Sequence, residues 1–183
     1  MNRKIYFGVG SALSIGLICL MIYGLFFASD PRSIPSAQLD KKAKTFKATT
    51  FDGKKISLEG FLGKPLVLNF WASWCVACKA EARILERLHR IYTPKGASFV
   101  GIAINDTEKE SLKFIAKYKK TYLLGPDDEL GTISLDYGVT AVPETFLIDK
   151  QGYIRHKVLG SVTARLIREF LDEELNLTSP KKK

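Results

Sequence analysis

The residues of this sequence best suited to chemistry are two cysteines, Cys75 and Cys78, which are separated by two residues. The third cysteine, Cys19, lies within an apolar run and leaves them as the one pair in the rest of the chain. Residues three apart on a helix are neighbours, at a separation compatible with a disulfide bond. Because so short a loop removes little entropy from the unfolded chain, the disulfide would be a poor structural staple. The spacing therefore favours thiol–disulfide exchange over a pair of buried structural thiols or a plain stabilising disulfide.

The chain around the pair predicts different roles for the two thiols. The apolar run Leu66–Trp71 has the pattern of a buried strand, and helical spacing begins at Cys75. Unpaired N–H groups and the helix dipole favour an anion at a helix start, and the thiolate is the reactive form of cysteine. We therefore predict that Cys75 is the attacking nucleophile and that Cys78, one turn deeper, resolves the mixed disulfide.

Two further features concern groups that could lie beside the dithiol. Val142-Pro143 stands just before a predicted strand, and a cis bond there could place backbone where an extended substrate pairs with it. An ordinary trans proline that opens a strand is the alternative. Glu81 lies one turn beyond Cys78, and Glu144 follows Pro143. A carboxylate near a dithiol can relay protons or raise a thiol pKa, whereas the alternative for Glu81 is a solvated acid in the first turn of the helix.

The composition argues against several other classes of function. There are two histidines, His89 and His156, and with one cysteine pair they do not readily assemble a four-ligand zinc site. No Gly-rich phosphate loop stands at a strand–helix junction, so we predict no nucleotide, metal or haem cofactor. The formal net charge is +9, but the basic residues are scattered and form no stripe with interleaved aromatics. Nucleic-acid binding is therefore not expected.

Strand and helix patterns alternate around these residues and predict an α/β fold. Strands separated by helices, ending in a hairpin and a helix, imply a mixed central sheet with helices on both faces. The predicted strands are 46–51, 66–71, 98–104, 122–124, 145–148 and 153–159, and the predicted helices are 75–92, 108–119, 130–137 and 163–175. Helical spacing predicts that the apolar faces of the first two helices carry Ile84, Leu85, Leu88 and Ile91, and Leu112, Ile115 and Ala116.

The N-terminal segment predicts a membrane anchor. No charged side chain occurs from Ile5 to Ala28, and at ~1.5 Å per residue this run spans about 36 Å, enough for the ~30 Å hydrocarbon core. A cleaved signal peptide is the alternative, but the run is longer than a usual signal-peptide core and no clean Ala-x-Ala site follows. Arg3 and Lys4 favour a cytoplasmic N-terminus and an exported remainder. We therefore predict an anchor (1–28), a linker (29–40), one domain (41–175) and a basic tail (176–183).

The segments around the cysteines and the proline are similar to a known family. Trp71-Ala-Ser-Trp-Cys-Val-Ala-Cys-Lys-Ala-Glu81 and Tyr137-Gly-Val-Thr-Ala-Val-Pro-Glu-Thr-Phe-Leu-Ile-Asp149 resemble the membrane-anchored thioredoxin-like proteins of cytochrome c maturation. The match is to the CcmG/DsbE type, in the TlpA/ResA-like group, and covers roughly residues 41–175. It implies a thioredoxin fold with a central insertion at 98–124. Beside the two cysteines, the residues to which it gives a role are the acids Glu81 and Glu144 and the substrate contacts Trp74, Val142 and a cis Pro143.

The resemblance also implies a function, partners and a location. Such proteins are held by a single inner-membrane span, face the periplasm and keep the Cys-x-x-Cys-His segment of apocytochrome c reduced for haem attachment. A transmembrane thiol-reducing protein re-reduces them. One departure is Ala77, where the family usually has proline, and it leaves the redox potential open. Two alternatives also stay open: a general periplasmic disulfide reductase of the ResA/TlpA kind, and a binding module that holds unfolded apocytochrome.

Overall fold

A computed structural model describes residues 13–21, 23 and 39–177, and the chain divides into two units, Met1–Pro35 and Ser36–Lys183. In the first unit, residues 13–21 and 23 are helical. Most of the predicted anchor (1–28), of the predicted linker (29–40) and of the predicted basic tail (176–183) lies outside the described residues. Within the described ranges, no helix combines the length and the apolar character needed to cross a membrane.

The second unit is built on a mixed sheet, as the alternating pattern predicts. Strands β1 (Lys47–Thr49) and β2 (Lys55–Ser57) form a separate antiparallel hairpin. The strands of the main sheet are β3 (Leu66–Trp71), β4 (Ser98–Ala103), β5 (Leu123–Pro126), β6 (Glu144–Ile148) and β7 (Ile154–Leu159). They lie in the order β5-β4-β3-β6-β7. Strand β4 runs parallel to β3 and β5, whereas β6 is antiparallel to β3 and β7.

The central strand β3 is buried along its whole length and separates two apolar cores. Because successive side chains of a strand point to opposite faces, Val67, Asn69 and Trp71 share one face. Val67 and Trp71 belong to the core that also contains Cys75 and Cys78, and we call this side of the sheet the dithiol face. The alternate residues of β3 belong to the second core, on what we call the hairpin face. They are Leu66, Leu68 and Phe70.

Helices cover both faces of the sheet, but unequally. The four α-helices of residues 39–177 are α1 (Val76–Tyr92), α2 (Glu108–Tyr118), α3 (Thr132–Asp136) and α4 (Ala164–Glu174). Side chains of α1, α2 and α4 enter the core of the dithiol face. The hairpin face is covered by α3, by the β1–β2 hairpin and by a short 3₁₀ helix, Leu58–Phe61. The predicted arrangement of a mixed sheet between helices is therefore confirmed, and the long helices cover the dithiol face.

The apolar faces of α1 and α2 are rotated relative to the prediction. In α1, Leu85 and Leu88 are buried as predicted, but Ile91 is 39% exposed and Tyr92 is buried in its place. In α2, Leu112 is 42% exposed and Phe114 is buried. The indole of Trp71 on β3 stacks on the Phe114 ring with their centroids 4.8 Å apart. Aromatic pairs bury large areas, so this contact orients α2 more strongly than the smaller aliphatic residues do.

Candidate active site

The two cysteines form a disulfide at the start of α1. Cys75 is the N-cap residue in extended conformation, and its sulfur accepts a hydrogen bond from the Cys78 backbone N–H at 3.0 Å. The two Cα atoms are 5.3 Å apart, within the usual range for a disulfide. Cys75 is 5% exposed and Cys78 is 1% exposed. An N–H donor and the helix dipole at the Cys75 sulfur stabilise a thiolate there, so the geometry fits Cys75 as the attacking sulfur.

The segment before Cys75 is held by an acid that the sequence analysis did not identify. Both carboxylate oxygens of Asp106 accept hydrogen bonds from Ser73, one from its backbone N–H at 2.6 Å and one from its hydroxyl at 2.8 Å. The Trp74 indole N–H donates to the Asn105 carbonyl at 2.9 Å. Trp74 is nevertheless 58% exposed. The loop after β4 thus fixes an apolar ring beside the dithiol, where it can contact a substrate.

The loop before β6 lies against the sulfur of Cys75. The Val142–Pro143 peptide bond is cis, as the resemblance implies. The Val142 carbonyl oxygen is 3.5 Å from Cys75 Sγ. The Pro143 carbonyl accepts a hydrogen bond from the Gly160 N–H at 2.8 Å, which ties this loop to the end of β7. The structure therefore brings Val142 and Pro143 together with the dithiol.

Glu81 is a buried acid on the dithiol face rather than a solvated one. It is 1% exposed and lies one helical turn beyond Cys78. Its Oε1 accepts a hydrogen bond from the Asn69 side-chain amide at 2.9 Å, and Oε2 accepts from the Val162 N–H at 2.8 Å. Burial raises the pKa of Glu81 to about 7, against the opposing effects of these two hydrogen bonds and of the Lys120 charge. An acid that titrates near neutrality can accept the proton of the Cys78 thiol.

The loop after β7 joins Glu81 to the turn between the cysteines. Ser161 donates its hydroxyl proton to the Ala77 carbonyl at 3.0 Å, and the next residue, Val162, supplies the N–H bound to Glu81. Ala77 is the position at which the resemblance leads us to expect proline. Here a side-chain hydrogen bond from outside the turn helps to hold its backbone.

Glu144 is fully buried, but its carboxylate lies away from the sulfurs. It is opposite Phe70 in the β3–β6 register, which places its side chain on the hairpin face. Its Oε1 accepts hydrogen bonds from the Thr140 N–H at 2.8 Å, the Thr140 hydroxyl at 3.0 Å and the Ala141 N–H at 3.3 Å. Its Oε2 is paired with Lys157 Nζ at 3.2 Å. Glu144 thus holds the segment that leads to Pro143, and the structure does not bring its carboxylate to the dithiol.

The two histidines pack against aromatic rings. His89 lies 5.7 Å from the Phe99 ring and 5.6 Å from the Tyr122 ring, measured between centroids. His156 makes a similar edge contact with Phe170 at 6.1 Å. Among the described residues, no group of three or more His, Cys, Asp or Glu side chains is arranged to hold a metal ion.

The dithiol lies at the start of the helix that follows the central strand, and the cis-proline loop lies against the sulfur of Cys75. This arrangement is that of thioredoxin-like thiol:disulfide oxidoreductases, and the protein is a member of that class. The chain belongs to the AhpC/TSA family, which matches residues 39–157, and within it to the DsbE- and ResA-type proteins. The resemblance seen in the sequence is thereby confirmed.

Two curated relatives and one solved structure illustrate the similarity. The thiol:disulfide interchange protein DsbE of Pseudomonas aeruginosa is 34% identical, over 87% of this chain and 88% of the relative. The thiol-disulfide oxidoreductase ResA of Bacillus thuringiensis is 29% identical, over 93% of this chain and 95% of the relative. A secreted Mycobacterium tuberculosis disulfide oxidoreductase homologous to E. coli DsbE aligns with a TM-score of 0.63 and 27% identity, covering 70% of this chain and 95% of that one.

Proposed function

We propose that this protein is a membrane-anchored reductase that faces the periplasm and reduces the Cys-x-x-Cys-His disulfide of apocytochrome c. The observation that carries the proposal is that the two sulfurs have different surroundings, one suited to attack and the other to the loss of a proton. The Cys75 sulfur is at the helix start, and Glu81 is buried one turn beyond Cys78 with its pKa raised to about 7. Such an arrangement serves both halves of a two-step exchange reaction.

In the first step the Cys75 thiolate attacks one sulfur of the substrate disulfide. A bond forms between Cys75 Sγ and that sulfur, the substrate disulfide breaks, and the other substrate sulfur leaves as a thiolate that takes up a proton. In the second step Cys78 gives its proton to Glu81 and attacks Cys75 Sγ. The second substrate thiol is released, and the Cys75–Cys78 disulfide remains. Two electrons pass to the substrate, and the disulfide must then be reduced by a transmembrane thiol-reducing protein.

A groove beside the dithiol supports a peptide substrate. It has a volume of about 730 Å³ and runs between Trp74 and α2, where it is lined by Phe114, Tyr118 and the cations Lys79 and Lys113. Aromatic walls with charged rims suit a short peptide that contains both apolar and polar side chains. The run Tyr137–Asp149, with Glu144 after Pro143, supports the assignment to cytochrome c maturation because generic thioredoxins lack that acid.

The proposed location rests on the N-terminal segment and on the chemistry of the pair. The uncharged run from Ile5 to Ala28 follows Arg3 and Lys4, a charge pattern that favours export of the remainder. A protein that reduces disulfides is needed where disulfides persist, outside the cytosol. Protease treatment of intact spheroplasts tests this orientation, since digestion of the domain is expected and its full protection would contradict the proposal.

A cysteine substitution distinguishes a reductase from a module that only binds apocytochrome. In a host that lacks its own DsbE-type protein, Cys75→Ser should abolish c-type cytochromes, and an added exogenous thiol should restore them. Cys19→Ser is the matched control and should leave them unchanged. A module that only holds apocytochrome would retain function in Cys75→Ser, and failure of exogenous thiol to restore cytochromes would count against the reductase.

The alternative function, a general disulfide reductase, is tested with the purified protein. Reduced protein is mixed with an oxidised Cys-x-x-Cys-His peptide or with oxidised insulin, and the exchange rates are compared. We expect faster reduction of the peptide. Equal rates would favour a general disulfide reductase of the ResA/TlpA kind.

A further inference from the structure

The short segment that follows β7, residues 160–163, is held firmly at both ends. At its start, the Gly160 N–H donates to the Pro143 carbonyl at 2.8 Å. At its end, Val162 is 2% exposed in the core of the dithiol face, and Thr163 is the N-cap of α4. The remaining residue, Ser161, is exposed, and its backbone position is set by these neighbours.

Ser161 binds the turn between the two cysteines. Its hydroxyl donates a hydrogen bond to the Ala77 carbonyl at 3.0 Å. Ala77 is the second residue of α1, so its carbonyl can accept an N–H from the next helical turn and still has a second lone pair for Ser161. In the part of the chain that the structure describes, no other side chain from outside α1 and its cap forms a hydrogen bond with the backbone of residues 75–78.

The two residues between the cysteines do little to restrain the turn themselves. Val76 is 79% exposed, so packing holds it weakly. Ala77 has neither a ring that fixes φ nor a polar side chain that could bind the neighbouring backbone. In the oxidised protein the disulfide closes the turn. In the reduced protein that bond is absent, and the position of the Ala77 carbonyl then depends on the first turn of the helix and on Ser161.

We propose that Ser161 is a positioning residue that lowers the redox potential of the Cys75–Cys78 couple, because it holds the reduced turn in the shape from which the disulfide closes. The proposal rests on the dithiol exchange of the proposed function, but it does not depend on which disulfide is the substrate. Ser161 forms and breaks no covalent bond. Cys78 loses its proton and attacks Cys75 Sγ as in the second exchange step, and Ser161 changes only how often the two sulfurs are in position.

The direction of the effect follows from what each redox state loses without this hydrogen bond. The disulfide keeps the oxidised turn closed with or without Ser161. The reduced turn, once released, gains conformations in which the two sulfurs are too far apart to react, and this entropy stabilises the dithiol form. Because a more stable dithiol form is easier to reach by reduction, the potential rises when the bond is removed. A hydrogen bond that water can replace changes such an equilibrium by about threefold, which corresponds to about 14 mV for a two-electron couple.

The potential of the Ser161→Ala variant tests both the direction and the size of the effect. Equilibration with glutathione should show a disulfide about threefold less favoured than in the wild type, and a potential higher by about 14 mV. Ser161→Thr keeps the hydroxyl and should keep the wild-type potential. The matched control is Ser134→Ala, since Ser134 donates the same kind of bond to the Gly131 carbonyl at 2.9 Å on the hairpin face, and its potential should not change. An unchanged potential in Ser161→Ala, or an equal shift in Ser134→Ala, would overturn the proposal.

A substitution in the turn itself tests how Ser161 acts. Ala77→Pro fixes φ at this position, and the N–H that proline lacks has no partner within the first turn of a helix. A turn made rigid in this way should no longer depend on Ser161. Ser161→Ala should therefore shift the potential when residue 77 is alanine and leave it nearly unchanged in the Ala77→Pro background. Equal shifts in the two backgrounds would contradict an action through the turn.

The two exchange steps provide a measurement that leaves residue 77 unchanged. Reduced protein mixed with one equivalent of a pyridyl disulfide releases one thiopyridone on attack by Cys75 and a second when Cys78 resolves the mixed disulfide. Ser161→Ala should slow the second phase by about threefold and leave the first unchanged, because only resolution requires the two sulfurs to meet. Equal slowing of both phases would indicate general damage to the site and would contradict the proposal.

This proposal and the proposed function can fail separately. The absolute potential of the wild-type couple tests the direction of electron flow, whereas the differences between the variants test the role of Ser161. A wild-type protein that is an oxidant could still show the shift in Ser161→Ala, and a reductase without that shift would contradict only the role of Ser161.

Discussion

Replacement of Glu81 by Gln should change how the stability of the protein depends on pH. The pKa of Glu81 is about 7 in the folded protein, above its ordinary value of 4.5. An acid whose pKa is raised in the folded protein stabilises the fold when the pH is below its pKa in the unfolded chain. This stabilisation is lost as the pH rises through its pKa in the folded protein. From pH 4.5 to pH 7, the wild-type protein should therefore lose about 3 kcal/mol of unfolding free energy through Glu81.

Relative to the protein with Glu81 protonated, the Glu81→Gln substitution lowers the free energy of unfolding by an amount that is nearly independent of pH. The glutamine amide can keep the hydrogen bond from Asn69, but it presents an NH₂ group to the Val162 N–H, and this should cost about 1–2 kcal/mol at all pH values. The variant should thus be less stable than the wild type at pH 4.5 and more stable at pH 7, with the two curves crossing near pH 6. Urea unfolding followed by circular dichroism, with the Cys75–Cys78 disulfide kept oxidised, measures both curves. A stability difference between the two proteins that stays constant from pH 4.5 to pH 7 would refute the conclusion that burial raises the pKa of Glu81.

Three other substitutions test separate parts of the site. Cys78→Ser should attack a disulfide normally but accumulate the mixed disulfide at Cys75, which mass spectrometry detects; rapid turnover would contradict the assigned roles. Glu144→Gln, which leaves Lys157 without a counter-charge, should lower the unfolding free energy by about 2–3 kcal/mol in urea titrations, and an unchanged free energy would count against this ion pair. Asp106→Ala should release the Ser73–Trp74 loop, cost about 1–3 kcal/mol, and increase the mobility of Trp74 in fluorescence anisotropy, whereas an unchanged anisotropy would count against this role.

Strands and helices could be located from the sequence because their signals are local. The apolar run Leu66–Trp71 coincides with β3, and the predicted helix 75–92 differs from α1 only in that Cys75 is its cap. The orientation of a helix depends instead on its partners. The burial of Phe114 in place of Leu112 follows from the stack on Trp71, a contact between residues far apart in the chain.

The same distinction applies to the candidate site. The spacing of Cys75 and Cys78 is itself the signal that identifies them. Pro143 stands out by its position before a predicted strand, and the resemblance is what implies its cis bond. Asn69 could not be identified from the sequence because its hydrogen bond to Glu81 forms only when α1 packs against the assembled sheet. A polar residue in an otherwise apolar strand, as Asn69 is in β3, was the one available sign of a buried polar network.

The carboxylates show where spacing misleads. Glu81 and Glu144 were considered together because each is close in the chain to a functional element. The alternation of side chains along β6 places Glu144 on the hairpin face, while Thr145, opposite Asn69, points to the dithiol face. The two acids therefore serve different purposes, one near the sulfurs and one in the loop that leads to Pro143.

The equilibrium potential of the Cys75–Cys78 couple against glutathione tests the proposed direction of electron flow most directly. The protein is equilibrated in buffers of defined glutathione ratio, and the fraction of disulfide is determined by thiol alkylation. A reductase should have a potential near that of thioredoxin, about −270 mV. A potential near about −120 mV, that of a strong oxidant of thiols, would contradict the account.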